Sequence, residues 1–249
     1  MDDFRLLIDL HKHGSRQGPG SDTETLKAMS LAVIDPHKPL KIADVGCGTG
    51  ASAILLAKHL NARITAIDFL PDFLDVLNAR AKQFGVTEKI TTSACSMDAL
   101  PFAEDELDVI WSEGAIYNIG FEKGVSDWRR CLKPGGLLVA SEITWITETR
   151  PSELENYWNI QYPEIGMAST KIRVLENHGY APLAYFVLPE QCWLDEYYRP
   201  MEARFEEFLN ANGNSEEARE VVAAEQREIE LYETYKAYFS YGMYIAKKL

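Results

Sequence analysis

The sequence predicts an α/β fold built on a doubly wound, mostly parallel sheet. Three observations predict it. From Leu40 onward, short apolar segments alternate with helical ones, the pattern of βαβ units whose sheet is covered on both faces. A glycine-rich turn, Asp44-Val45-Gly46-Cys47-Gly48-Thr49-Gly50, joins the first such segment to the first such helix. Two late strand-like segments are separated by a long helical stretch, which reads as a cap inserted beside the sheet edge.

In chain order, Leu6, Leu7 and Leu10 form an apolar stripe that predicts a helix over 2–11. The loop His13-Gly14-Ser15-Arg16-Gln17-Gly18-Pro19-Gly20 interrupts it, and Ser21-Asp22-Thr23-Glu24 has the spacing of a capping box that opens a helix through Val33. Strands follow at 40–45, 63–67, 89–94, 107–112 and 136–142, with helices at 51–60, 71–84 and 120–132. Residues 99–106, with Pro101 and several acids, read as a loop. Beyond Ile143 the alternation stops. Residues 144–178 read as mostly helical, 180–188 as a strand, and 192–210 as a helix broken at Pro200. Asn214-Ser215-Glu216-Glu217 caps a helix to about Tyr235, and Tyr238–Ala246 closes the chain as a strand. The expected organisation is one domain over 1–249, with N-terminal helices and a lid in 1–36, a binding core in 37–143 and a cap with the last two strands in 144–249.

Composition narrows the function. A hydrophobic fraction of 46% in 249 residues supports a globular core. A formal charge of −13 argues against nucleic acid and against anionic membranes. No apolar run reaches membrane-spanning length and the acidic N-terminal stretch carries no signal-peptide pattern, so a cytoplasmic location is expected. The four cysteines form no CxxC pair and have no histidine at ligand spacing, so they read as buried thiols and no metal is expected. His11 and His13 do not share a helix face, and His37, His59 and His178 stand alone, so surface or structural roles are expected for all five.

The chemistry starts at the turn. Glycines there permit positive φ and let a ligand touch bare backbone, and the following helix offers free N–H groups. Gly46-x-Gly48-x-x-Ala51 also satisfies the dinucleotide fingerprint, so an NAD-dependent oxidoreductase is an alternative. Asp44 argues the other way, since it would oppose two phosphates but favour a ligand carrying positive charge. Asp68, ending the second strand, is placed to accept ribose hydroxyls with either cofactor.

Three features decide between them as a set: Asp44 before the glycine turn, Ser96-Met97-Asp98-Ala99-Leu100-Pro101-Phe102 after the third strand, and Lys133-Pro134-Gly135-Gly136 leading into the fifth. Over residues 40–143 the chain thereby resembles the class I S-adenosylmethionine-dependent methyltransferases of the small-molecule type. The resemblance implies a Rossmann-like, seven-stranded sheet with its last strand antiparallel. It also implies S-adenosyl-L-methionine as cofactor and S-adenosyl-L-homocysteine as product. It assigns Asp44, Gly46, Cys47, Gly48 and Gly50 to the amino-acid end of the cofactor. Asp68 falls to the ribose, Phe69 and Ser96-Met97-Asp98 to the adenine, and Glu113 and Gly114 to the pocket near the reactive methyl. In related enzymes an N-terminal segment closes over the cofactor, which would make the 16–20 loop a lid and Arg16 a cofactor contact. Lys133-Pro134-Gly135-Gly136 is a turn with no ligand role. Glu113, then Tyr117, are the candidate catalytic base or substrate anchor, with Glu113 equally readable as a cofactor ligand. A non-catalytic S-adenosylmethionine-binding protein is the remaining alternative.

The acceptor is a small molecule, of quinone type or another aromatic metabolite. Leu100-Pro101-Phe102 and the following acids are similar to the ubiquinone/menaquinone methyltransferase group, but the Arg-Asn pair of that group is replaced by Ser112-Glu113-Gly114-Ala115-Ile116-Tyr117-Asn118. Trp145, Trp193, Tyr197 and Tyr198 fall in the expected cap, where most serve packing and one or two stack on substrate. The oligomeric state, a homodimer included, stays open.

Overall fold

The structure is a computed structural model that describes residues 3–249, so the first residues of the expected 2–11 helix lie outside the described residues. One sheet forms the frame. Its strands are β1 (Leu40–Val45), β2 (Ala62–Asp68), β3 (Ile90–Ala94), β4 (Leu107–Ser112), β5 (Leu132–Trp145), β6 (Gly166–Met167), β7 (Tyr180–Val187) and β8 (Phe239–Lys248). Their order is β3-β2-β1-β4-β5-β8-β7, with the two-residue β6 beside the end of β5. All pairs are parallel except those of β8, which runs antiparallel to both β5 and β7. This is the doubly wound, Rossmann-like sheet the sequence predicts.

The helices are α1 (Asp3–His11), α2 (Asp22–Leu31), α3 (Ala51–His59), α4 (Pro71–Gln83), α5 (Phe121–Trp128), α6 (Ser152–Gln161), α7 (Ala168–Asn177), α8 (Gln191–Trp193), α9 (Arg199–Glu202), α10 (Phe205–Ala211) and α11 (Glu216–Tyr235). β1 is central, buried on both faces apart from Lys41, which explains its nearly unbroken apolar run. Chain order moves from β1 outward to β2 and β3, then returns to the other flank of β1 with β4. The crevice at such a reversal, above the carboxyl ends of the strands, is where open α/β sheets bind ligands.

Three apolar clusters hold the frame. One packs α2, α3 and α4 on one sheet face, and a second packs α5 and α7 on the other. The third lies beneath α8–α11 and joins them to α1 and to the ends of β5 and β8. No described helix is long and apolar enough to cross a membrane.

Three expectations are corrected. β5 starts at Leu132 and runs to Trp145, so Lys133–Gly136 lie within it. The turn chemistry survives as a register shift against β4 between Leu107 and Val109, with Gly135 at φ +78°. Trp145 is therefore a strand residue packed on Phe239, not part of a cap helix. The long helix 192–210 does not break at Pro200. Pro200 directly follows a π-helical turn over Leu194–Tyr198 that runs on into α9, and the chain leaves the helix at Ala203-Arg204.

Candidate active site

The glycine turn is shaped by backbone that only glycine adopts easily. Gly46, Gly48 and Gly50 have φ of +72°, +53° and +86°. Each also has a crowded Cβ position, but for different reasons. A Cβ on Gly46 would lie 2.2 Å from Ala115 Cβ, one on Gly48 2.2 Å from Gln17 Oε1, and one on Gly50 2.0 Å from Leu77 Cδ1. Gly50 thus seats α3 against α4 and does not reach the cavity wall, whereas Gly46 and Gly48 do.

Asp68 fixes the turn from the end of β2. Its carboxylate accepts hydrogen bonds from Gly48 N and Leu70 N, both at 2.9 Å. Burial pushes its pKa up, and those backbone donors pull it down. Beside it, Asp44 is buried with one carboxylate oxygen unpartnered. Burial, then the nearby Glu113 charge, push the Asp44 pKa up to about 8. An acid in that state is an unfilled demand for positive charge.

Arg16 does not fill that demand. Its guanidinium donates to Glu113 Oε2 at 3.0 Å and to Asp22 at 3.1 Å. Glu113 Oε1 accepts from Thr25 Oγ1 at 2.7 Å and Trp111 Nε1 at 2.8 Å. Both Glu113 oxygens are thereby occupied, and the residue lines a small recess with Asp44, Cys47 and Arg16. The Cys47 thiol is pushed up by burial. The 12–21 loop is pinned on the turn: Gln17 Oε1 accepts from Thr49 N at 2.8 Å and its Nε2 donates to Thr49 Oγ1 at 3.1 Å.

The recess opens beside a cavity of about 690 Å³ that shares Gly46, Gly48 and Gly114 with it. Asp68, Phe69, Ser96, Met97 and Asp98 line one end. Phe69 is 69% exposed, an unusual state for a phenyl ring beside a cavity. Asp98 is paired with Lys123 at 2.9 Å, which lowers its pKa, and Met97 O accepts from Trp128 Nε1 at 2.9 Å.

Tyr117 lines the cavity with Tyr157, Trp158, Tyr162, Trp193, Tyr197 and Tyr241. Its 37% exposure is toward the cavity interior; burial and then Glu228 raise its pKa, so it is a phenol at neutral pH. Tyr162 donates to Glu142 Oε1 at 2.8 Å, and Lys171 grips the same oxygen at 2.6 Å. Burial pushes Glu142 up to about 7 against that pairing, and its role is to hold Tyr162 at the wall. Of the four cap aromatics expected, Trp193 and Tyr197 reach the cavity. Tyr198 instead donates to Glu228 at 2.9 Å, and Trp145 lies away from it.

Among the wall residues that escape the sequence reading are Tyr162, Tyr241, His11, Glu225 and Glu228. His11 sits inside the protein, as the structural reading of it allows. It is buried, stacked on Tyr197 and bonded to Glu225 at 3.1 Å. A signal was available in α11. Its buried stripe runs Ala218, Val222, Glu225, Ile229 and Tyr232, and an acid within an apolar stripe is anomalous.

Solved S-adenosylmethionine-dependent methyltransferases share this architecture. A crystallised member from Geobacter sulfurreducens, solved with S-adenosyl-L-homocysteine, superposes with a TM-score of 0.86 over 98% of both chains at 19% identity, a likeness of fold. Residues 42–136 match the family model for a methyltransferase domain. Demethylmenaquinone methyltransferase of Bacteroides fragilis is 34% identical over 45% of this chain and 46% of its own. Malonyl-[acyl-carrier protein] O-methyltransferase of Herminiimonas arsenicoxydans is 31% identical over 58% of this chain and 53% of its own. The matches span about half the length of these curated relatives. The resemblance read from residues 40–143 is borne out.

Proposed function

We propose that the protein is an S-adenosylmethionine-dependent methyltransferase acting on a small-molecule acceptor, with 1–36 supplying the lid, 37–143 the donor site and 144–249 the acceptor wall of one domain. The observation that carries this is Asp44: a buried carboxylate with an unpartnered oxygen, behind a glycine turn that leaves its backbone open to the cavity. A ligand with an ammonium and a sulfonium meets that demand, and a pyrophosphate opposes it. The cavity lies in the upper half of the usual range for small-molecule sites, which favours a cofactor and an acceptor together.

When bound, the cofactor supplies a methyl group already activated for displacement by its sulfonium. The protein's own residues bind, align and exclude water. Gly46 and Gly48 admit the amino-acid end to the backbone near Asp44. Asp68 turns toward the ribose hydroxyls, Phe69 covers the adenine, and Ser96, Met97 and Asp98 border its edge. Gln17 and Arg16 close the lid over the turn. Glu113 acts here as the anchor of Arg16 and a border of the donor recess, because its carboxylate is committed to three donors, one of them the buried Arg16 guanidinium. Tyr117 is better suited to donating a hydrogen bond to the acceptor than to taking its proton. The ring-lined wall suits a planar acceptor.

Titration calorimetry with S-adenosylmethionine, S-adenosylhomocysteine and NAD(H) tests the reading. Saturable binding of the two sulfur nucleosides, without NAD(H), is expected. Binding of NAD(H) alone would favour an oxidoreductase. Sulfur nucleosides bound without methyl transfer across an acceptor panel would favour a non-catalytic role.

A further inference from the structure

We propose that the methyl acceptor carries a basic nitrogen, held as an ammonium beside Glu225 and Glu228 among the cavity's aromatic rings. This rests on the methyltransferase reading of the same cavity and names the acceptor class it leaves open.

The charge of the lining comes first. Among the described residues its ionisable acids are Asp68, Asp98, Glu225 and Glu228, its only basic group is the His11 imidazole, and no lysine or arginine lines it. Asp68 and Asp98 belong to strand ends on the nucleotide side. Glu225 and Glu228 stand on the cap helix α11, one turn apart, so they face the same way. Glu225 has a partner in His11, 3.1 Å away. Glu228 has only a phenol: Tyr198 donates to its Oε1, and its other oxygen accepts no hydrogen bond among the described residues. Glu228 is exposed by area, yet desolvation by the surrounding protein and then the Glu225 charge raise its pKa, against the Tyr198 hydrogen bond and His11.

A second observation is independent of the acids. Tyr197 and Tyr241 are 9% and 8% exposed, line the cavity, and neither hydroxyl has a hydrogen-bond partner among the described residues. Their hydroxyls open to the cavity, where they can donate to or accept from a ligand. Their ring faces, with Trp193 stacked on Tyr241 at 5.2 Å, supply the electron-rich surface an ammonium prefers. A neutral acceptor would leave the Glu228 charge uncompensated, and an anionic one would be repelled.

The test loads the protein with S-adenosylhomocysteine and titrates three probes sharing one body: phenethylamine, 2-phenylethanol and phenylacetate. The ammonium should bind about tenfold more tightly than the alcohol, and phenylacetate should not saturate. In Glu228→Gln, and in the Glu225→Gln/Glu228→Gln pair, that preference should collapse. Tyr241→Phe should weaken all uncharged and charged probes alike. The first isotherm, with S-adenosylhomocysteine alone, reports that each variant is folded. Equal or tighter binding of the alcohol or carboxylate, a preference that survives Glu228→Gln, or no binding of any probe by the loaded protein overturns this proposal alone. Failure to bind S-adenosylhomocysteine overturns the methyltransferase reading and this proposal with it.

Discussion

The two ends of the cavity are built by opposite strategies. The donor end gathers residues that are close in sequence: Asp44 to Gly48 at the end of β1, Asp68 and Phe69 after β2, and Ser96 to Asp98 after β3. Parallel pairing in register brings these strand ends side by side, so backbone geometry alone assembles the site. The acceptor end draws His11 from α1, Tyr117 from the segment after β4, Trp158 from α6, Trp193 and Tyr197 from the broken cap helix, and Glu225 and Glu228 from α11. Packing of the third apolar cluster, with the His11–Glu225 and Tyr198–Glu228 hydrogen bonds, holds these together. The donor end is therefore rigid and motif-like, and the acceptor end is free to differ in side chains without disturbing the sheet.

The sharpest way to break the donor end is Gly48→Val. It forces a β-branched residue into φ +53° and drives it into Gln17, so S-adenosylhomocysteine binding should vanish in calorimetry while the acceptor wall keeps its packing. Next comes Glu113→Gln, which strips the buried Arg16 of its nearest anion. Unfolding titrations should show a loss on the order of 3 kcal/mol, and cofactor affinity should fall more than turnover. A fall in turnover alone would restore Glu113 as a base. Asp68→Ala should weaken the cofactor by about 1–3 kcal/mol through lost charge-assisted bonds, and unchanged affinity would remove its ribose role.

Asp44 gives the comparison a pH signature. Its folded pKa lies near 8, above the ordinary 3.8. Between about pH 4 and 8 the ligand-free folded state holds a proton that the unfolded chain has released, so stability contributed by this group falls as pH rises through that window. A cationic ligand reverses the preference by favouring the carboxylate. Binding at pH 7 should release a proton, measurable as a dependence of calorimetric heat on buffer ionisation, and affinity should rise toward pH 8. Asp44→Asn should abolish both effects. The smallest expected change is Tyr241→Phe at the acceptor end. It removes a hydroxyl without a protein partner, so stability should move by less than about 0.5 kcal/mol while acceptor KM rises.

Legibility followed the same division. The strand and helix order from β1 to β5 was readable because period and turn residues are local properties. Glu113 was readable as a site residue, but its three donors were not, because Arg16, Thr25 and Trp111 meet only after α2 docks beside β4. The breaking point of the cap helix was misread because a π-helical turn before Pro200 accommodates the missing N–H, a rearrangement no local pattern announces.

By itself the sequence determined the doubly wound sheet, the glycine turn with its acid, and the charge preference of whatever the turn holds. These depend on residues a few positions apart, linked by backbone conformation. Only the tertiary structure decided that His11, Glu225 and Glu228 face one aromatic cavity, that Gly50 serves packing rather than a ligand, and that Asp44 keeps an oxygen unpartnered. Those facts depend on side chains far apart in sequence. Their neighbours are set by how α1 and α8–α11 close over the ends of β5 and β8, which no local pattern encodes.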